Sequence, residues 1–380
     1  MKNGYRSPSL KHAFLVSLLS ILFFCALLLI AQGCVASPFC DWLAGSSGTS
    51  NTFSQPDITY DSRIFLQPLQ FILQAFLSLI PFFHTGNTAA VFLTILFSAL
   101  TTGVIIIAVQ HAGLRVEIGW ILAALYLFNP IVIRSTLSAS GVSILIFFLA
   151  FIFVHLITWQ NNRFWLALVW IGLGAALVVL AQFSTLFFLI LPVFAALVIA
   201  YCENPYNIYY TENALWIMLT PLLYVFFVRF FYGYALEGDP FAFSQIENSL
   251  AQTEIIKQTL DLPVLPRVAL FVRENIAFLW LSSPVFILFS VAAIITAAIK
   301  RKIFPVIYTV IIWLPILLLR SGRQSGMYDP LWITANLLVL SSFLMVVISA
   351  QLWKKNRWIF LVPSLLMLAA YTSLQWASLR

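Results

Sequence analysis

The chain has 380 residues, of which 62% are hydrophobic and 9% charged, with a formal net charge of +7. Soluble domains average about 45–50% apolar and about 25% charged, so a water-soluble globule is excluded. The basic excess lies in short loops between apolar runs, where it marks membrane topology rather than a nucleic-acid groove, and no nucleic-acid partner is expected.

Apolar runs recur along the whole chain. The predicted spans are 13–32, 89–110, 118–134, 142–159, 164–181, 183–201, 214–232, 280–299, 303–319, 331–350 and 358–376. Each is predicted as a helix, because only helices and closed barrels satisfy the backbone in lipid, and no strand-like alternation is present. The first run follows Lys2, Arg6 and Lys11 and is too long for a typical signal peptide, so it is read as an uncleaved span. As one helix, 164–201 would extend about 57 Å, nearly twice the hydrocarbon thickness, so it is divided at Gln182-Phe183-Ser184. The run 118–159 is divided between Asn129-Pro130 and Ser140-Gly141, where proline removes a helix hydrogen bond.

The stretch 64–83 is long enough to cross but carries Gln67, Gln70, Gln74, Pro68 and Pro81. Charge decides its placement. If it does not cross, Lys2, Arg6, Lys11, Arg115, Arg163, Lys300–Lys302 and Lys354, Lys355 and Arg357 all share the side of the N-terminus. That side then holds about eleven basic residues against Glu117, Glu203 and Glu212, and the other about nine against about ten acidic ones. The positive-inside tendency makes the N-terminus cytoplasmic and 64–83 an interfacial or re-entrant helix on the outer face. The expected fold is a single all-α polytopic membrane domain over 1–380. It has about 11 transmembrane helices and interfacial helices in two extracytoplasmic loops, 33–88 and 233–279, with a helical core over 89–232 and C-terminal spans over 280–380. The cytoplasmic (inner) membrane is the expected location.

Trp42, Trp159, Trp165, Trp332, Trp353, Trp358 and Trp376 fall near predicted span ends and read as an aromatic belt. His155 lies inside a span and reads as a packing residue. Cys34 and Cys40 share the first outer loop, either as a small disulfide loop or as two free thiols. Phosphate-loop, dinucleotide-binding, HExxH and GxSxG motifs are absent, and no metal or other cofactor is implied.

Chemistry is therefore sought on the outer face. The first loop carries Asp41, Asp57 and Asp61, and a carboxylate at the rim of a membrane cavity can act as a general base. The same residues also suit solvated helix caps. Opposite them stand Arg134, Arg229, Lys257, Arg267, Arg273, Arg320 and Arg323, whose guanidinium forks suit a lipid-linked phosphate. Arg229, inside FFVRFF, either snorkels to the headgroups or serves a site.

The layout resembles a known group. One span leads into an acidic outer loop, then a flat helix with an early proline (IFLQPLQFILQAFLSLI), then a hairpin whose outer end reads LFNPIVIRSTLSASG. A later loop reads SGRQSGMYDPLWITANLLVL. Together these resemble the polyprenyl-phosphate-sugar-dependent glycosyltransferases of the GT-C superfamily, which include protein mannosyltransferases and aminoarabinose transferases. The resemblance implies a GT-C-like fold and a polyprenyl-phosphate-linked sugar donor. The acceptor would be a lipid, glycan or protein, among membrane lipids. It places the base at Asp61, Asp57 or Asp41, and Arg323 and Tyr328 at the lipid phosphate. Two motifs depart from the family: Trp42, not Glu, follows Asp41, and Met327, not Arg, precedes Tyr328. Two other readings therefore stand beside glycosyl transfer: a transporter or flippase of a lipid-linked substrate, and a non-catalytic scaffold or degenerate member.

Overall fold

The computed structural model describes residues 10–33, 68–81, 88–137, 141–162, 165–181, 193–194, 196–201, 204, 206–239, 284–300, 306–307, 309–310, 313, 330–352 and 357–377. Among them the regular structure is helical, with no strand. The helices are α1 (Leu10–Gly33), α2 (Pro68–Ser78), α3 (Thr88–His111), α4 (Val116–Leu127), α5 (Pro130–Leu137), α6 (Val142–Asn162), α7 (Trp165–Ala181), α8 (Ile208–Glu237), α9 (Pro284–Lys300), α10 (Pro330–Leu352) and α11 (Arg357–Ala377).

Length and apolarity let five of these cross a membrane: α1, α3, α6, α8 and α11. Their outward faces suit hydrocarbon rather than water. Helix α1 exposes Phe14, Leu18, Leu22 and Leu29, and α8 exposes Trp216, Tyr224, Phe227 and Phe231. Such continuous apolar surface is foreign to a soluble monomer and ordinary for a membrane-embedded protein. Helix α10 is different: every residue from Asn336 to Ile348 is buried, so it runs through the centre of the bundle. It packs on α9, α11, α6 and α5.

The stretch expected to lie along the interface forms the short helix α2. At eleven residues it extends about 16 Å, roughly half the hydrocarbon thickness, so α2 alone cannot cross. It packs against α3 and α7.

Side-chain pairs give the direction of each helix. Helix α3 turns into α4 through Gly113, whose φ of 72° is the left-handed conformation that glycine adopts without strain. Helices α3 and α6 run parallel: Ser98, midway along α3, meets Ser143 at the start of α6, and Asn161 donates to the His111 carbonyl near their ends. The chain must therefore climb back through the bundle between them, along α4 and α5. These two helices meet at a 63° bend, and the parallel neighbours identify the pair as one broken span rather than a re-entrant loop. With it, up to six segments among the described residues are long and apolar enough to cross a membrane. Helix α7 runs antiparallel to α6, with ring contacts Phe151–Trp170 and Trp159–Trp165. Helix α8 runs parallel to α7: Tyr210 touches Trp165, Gly172 abuts Met218, and Arg229 reaches Val179.

The α7–α8 seam is built from small residues, which let two helix backbones approach closely. At Gly172 a Cβ would collide with the carbonyl oxygen of Met218. Because that atom is backbone, no side-chain rotation relieves it. At Gly103 the first obstacle is a side chain, Ser17 Oγ at 2.5 Å. The expected outcome is that Gly172→Ala destabilises the protein by about 1–3 kcal/mol and Met218→Ala does not restore it, whereas Ser17→Ala recovers much of the loss caused by Gly103→Ala. Thermal melting in detergent checks both pairs; rescue of Gly172→Ala by Met218→Ala would show that the seam is not backbone-limited.

Candidate functional site

The two ends of the bundle differ in chemistry. One end gathers the N-terminal half of α3, helix α5, the start of α6, the end of α7, the N-terminal part of α10 and the last turns of α11. The opposite end gathers the end of α3, the start of α4, the end of α6 and the starts of α7 and α8.

The first end is organised by the helix break. Helix α4 stops because Pro130 has no N–H and clashes with the preceding turn. Phe128 and Asn129 leave the helix, and the chain restarts at Pro130 as α5, with proline at the first helical position where no N–H is needed. Asn129, fully buried, caps the new helix: its Oδ1 accepts from the Ile131 N–H at 3.0 Å. Its Nδ2 donates to Gln375 Oε1 of α11 at 2.7 Å, and the Gln375 amide donates in turn to the Tyr371 hydroxyl. Trp376 Nε1 donates to the Phe128 carbonyl at 2.9 Å. The last turns of α11 thus supply hydrogen bonds on both sides of the break.

Helix α5 is then fastened along its length. Ser135 Oγ donates to Asn336 Oδ1 of α10 at 2.9 Å. The Thr136 hydroxyl lies 2.6 Å from Ser98 Oγ of α3, and Ser98 donates to Ser143 Oγ of α6 at 2.9 Å. Thr94 of α3 donates to the Thr136 carbonyl at 2.6 Å. Thr94, Ser98, Ser135, Thr136, Ser143 and Asn336 are all buried. An unmatched polar group at such depth costs about 1–3 kcal/mol, so a network of this density persists only when its members find partners.

One sequence-predicted site residue, Arg134, falls on this frame, and a second, Arg229, lies at the same end of the bundle on α8. Arg134 is half-buried in the last turn of α5 and is that helix's ionisable side chain. Arg229, 6% exposed, donates from Nη1 to the Val179 carbonyl in the last turn of α7 at 3.3 Å. There the guanidinium meets the negative end of a helix dipole. It lies against α7 instead of snorkelling. The helix directions put both arginines at the same end of the bundle. Asp41, Asp57, Asp61, Lys257, Arg267, Arg273, Arg320, Arg323 and Tyr328 lie outside the described residues, as do Cys34 and Cys40. Among the described residues no cluster of three or more His, Cys, Asp or Glu could hold a metal.

The opposite end is aromatic. Trp159, placed in the aromatic belt by sequence position, is completely buried and stacks on Tyr210 with centroids 6.1 Å apart. The belt reading fails there because α7 and α8 cover that face of α6. His155 packs between Phe151 at 4.4 Å and Trp170 at 6.1 Å, as expected of a packing residue. Trp165 and Trp358 are exposed, as belt residues should be.

Ser135, Thr136, Asn336 and Gln375 were not singled out from the sequence, and Trp376 was read there as a belt residue, whereas its indole bonds the Phe128 carbonyl at the helix break. A signal was present: Ser, Thr, Asn and Gln inside otherwise apolar runs face a partner or a cavity. What it lacked was the pairing, since Asn129 and Gln375 are 246 positions apart.

No protein-family model matches the chain, and no curated protein matches it.

The contact between Asn129 and Gln375 yields a direct expectation. Asn129→Leu and Gln375→Leu each lower stability by about 1–3 kcal/mol, and the double variant recovers about 1 kcal/mol of coupling. Denaturation of the four proteins in one detergent measures it. Strict additivity would mean that α11 does not fasten the break.

Proposed function

We propose that the protein is an integral-membrane glycosyltransferase with a GT-C-like fold, moving a sugar from a polyprenyl-phosphate donor to a lipid, glycan or protein acceptor. On this reading the chain has about eleven spans, its N-terminus is cytoplasmic, and transfer takes place on the outer face of the cytoplasmic membrane. The observation that carries it is the polar end of the bundle: buried hydrogen-bonding groups concentrate around a broken span that carries Arg134, with Arg229 at the same end. The motif LFNPIVIRSTLSASG, on which the family resemblance partly rests, overlaps that broken span.

The chemistry is a displacement at the anomeric carbon with inversion. An acceptor hydroxyl or amine attacks that carbon while a carboxylate, Asp61, Asp57 or Asp41, takes its proton. The bond from the anomeric carbon to the phosphate oxygen breaks, and the electron pair leaves with polyprenyl phosphate. Guanidinium groups stabilise the growing phosphate charge in a site of low dielectric. Arg134, Arg229, Arg267, Arg320 and Arg323, with Tyr328 as a hydroxyl donor, are the proposed set.

A second reading has one observation of its own. Broken helices near buried polar groups are also how transporters build substrate sites, and the 63° break fits that pattern. Ion-coupled transport further asks for paired ionisable groups at depth; among the described residues the buried charged side chain is Arg229.

Purified protein given a panel of polyprenyl-phosphate sugars is expected to release polyprenyl phosphate. One of Asp41→Asn, Asp57→Asn and Asp61→Asn should lower release by about 100-fold or more without loss of folding. No release from any donor, with ligand-dependent thermal stabilisation retained by all three variants, would favour transport. Neither release nor stabilisation would favour a non-catalytic scaffold.

A further inference from the structure

We infer that helix α5 is a preorganised platform, and that Ser135 and Asn336 are positioning residues that hold Arg134 toward the phosphate of the lipid-linked substrate. This deepens the glycosyltransferase reading and rests on it for the identity of the ligand.

Three observations combine. First, α5 is short: eight residues starting at Pro130, too few to hold a helix by its own hydrogen bonds. Second, its anchors are directional. Ser135 bonds Asn336 of α10, Thr136 bonds Ser98 of α3 through its hydroxyl and Thr94 through its carbonyl, and Asn129 bonds Gln375 of α11. Leucines would pack the same contacts without the desolvation cost of buried polar groups. Apolar packing, however, leaves rotation and sliding less sharply defined. Hydrogen bonds to three different helices fix the rotation of α5 about its axis as well as its depth. Third, the helix so fixed carries Arg134, next in sequence to Ser135 and half-exposed where its neighbours are buried.

A guanidinium binds phosphate through a planar fork, so its orientation governs affinity more than that of a flexible ammonium would. A cation on a rigid element also forfeits less entropy when the ligand arrives. Asn336 sits on the central helix α10, buried on all faces, which makes it the least movable of the anchors.

The test uses full-length protein in nanodiscs and a radiolabelled short-chain polyprenyl monophosphate, with the matching polyprenol as the control lacking phosphate. Ser135→Ala and Asn336→Leu should each weaken binding of the monophosphate about fivefold, the equivalent of one net hydrogen bond, and leave polyprenol partition unchanged. Ser135→Thr, which keeps a hydroxyl, should restore most of the affinity. In an Arg134→Gln background, Ser135→Ala should have no further effect. Ser20→Ala removes an equally buried hydroxyl, bonded to Thr102 at 2.9 Å, and should lower melting temperature without changing affinity. Additive losses in the Arg134→Gln background, or weakened binding by Ser20→Ala, would overturn the inference. Hydrogen exchange over residues 130–137 separates the two levels of argument. If the unsubstituted protein binds no monophosphate, the donor reading fails. Faster exchange confined to α5 in Ser135→Ala would then still uphold the platform, and unchanged exchange would overturn it too.

Discussion

The constraint on which the rest depends is that hydrocarbon offers the backbone no hydrogen-bonding partner. An unbroken helix meets it alone. A helix interrupted at Asn129-Pro130 cannot, and the freed groups must be met by side chains from elsewhere. Here the Phe128 carbonyl takes the indole N–H of Trp376, and the Asn129 amide both caps α5 and donates to Gln375. The break thus recruits α11 as a structural partner. Once α5 exists as a separate short helix, it in turn bonds α3 through Thr94 and Ser98 and α10 through Asn336, and Ser98 extends the network to Ser143 of α6. One proline places a polar region in an otherwise apolar bundle.

That region has an energetic logic. Side-chain hydrogen bonds between membrane helices are modest, averaging below about 1 kcal/mol in measured cases, because the separated helices also find partners. They are poor explanations of stability and better explanations of position. Close packing of small residues carries the association elsewhere, as where Gly172 lies against the Met218 backbone. The bundle therefore divides its labour: close packing dominates the α7–α8 seam and the aromatic end, where single bonds such as Arg229 to Val179 and Asn161 to His111 are added, and a network of directional bonds surrounds α5.

The sequence made the helices legible because apolar runs of about twenty residues have few alternatives in lipid. The predicted runs 89–110, 142–159 and 358–376 are occupied by Thr88–His111, Val142–Asn162 and Arg357–Ala377. The proline at 130 marked the start of the division of 118–159, yet the expected span 118–134 ran through it; the structure bends by 63° there. Pro130 opens a further helix, and that outcome depends on residues more than two hundred positions away. Trp159 was misread for a related reason: its nearness to a run's end was visible, and its cover by α7 and α8 was not. Arg134 was singled out in the sequence as one of the basic residues assigned to the outer face, and Arg229 also as a charge inside FFVRFF. Ser135 and Asn336 were not, because an isolated hydroxyl or amide in a span is common and acquires meaning only with its partner.

On the proposed function, the polar, broken-helix end is where the lipid-linked substrate is handled. The most direct measurement is photocrosslinking with a polyprenyl phosphate that carries a diazirine beside its phosphate, followed by mass-spectrometric mapping of the labelled peptides. The account predicts adducts on α5, the N-terminal part of α3 or the N-terminal part of α10, competed away by unlabelled polyprenyl phosphate. Adducts centred instead on the opposite end, around His111, Trp165 and Tyr210, would contradict it.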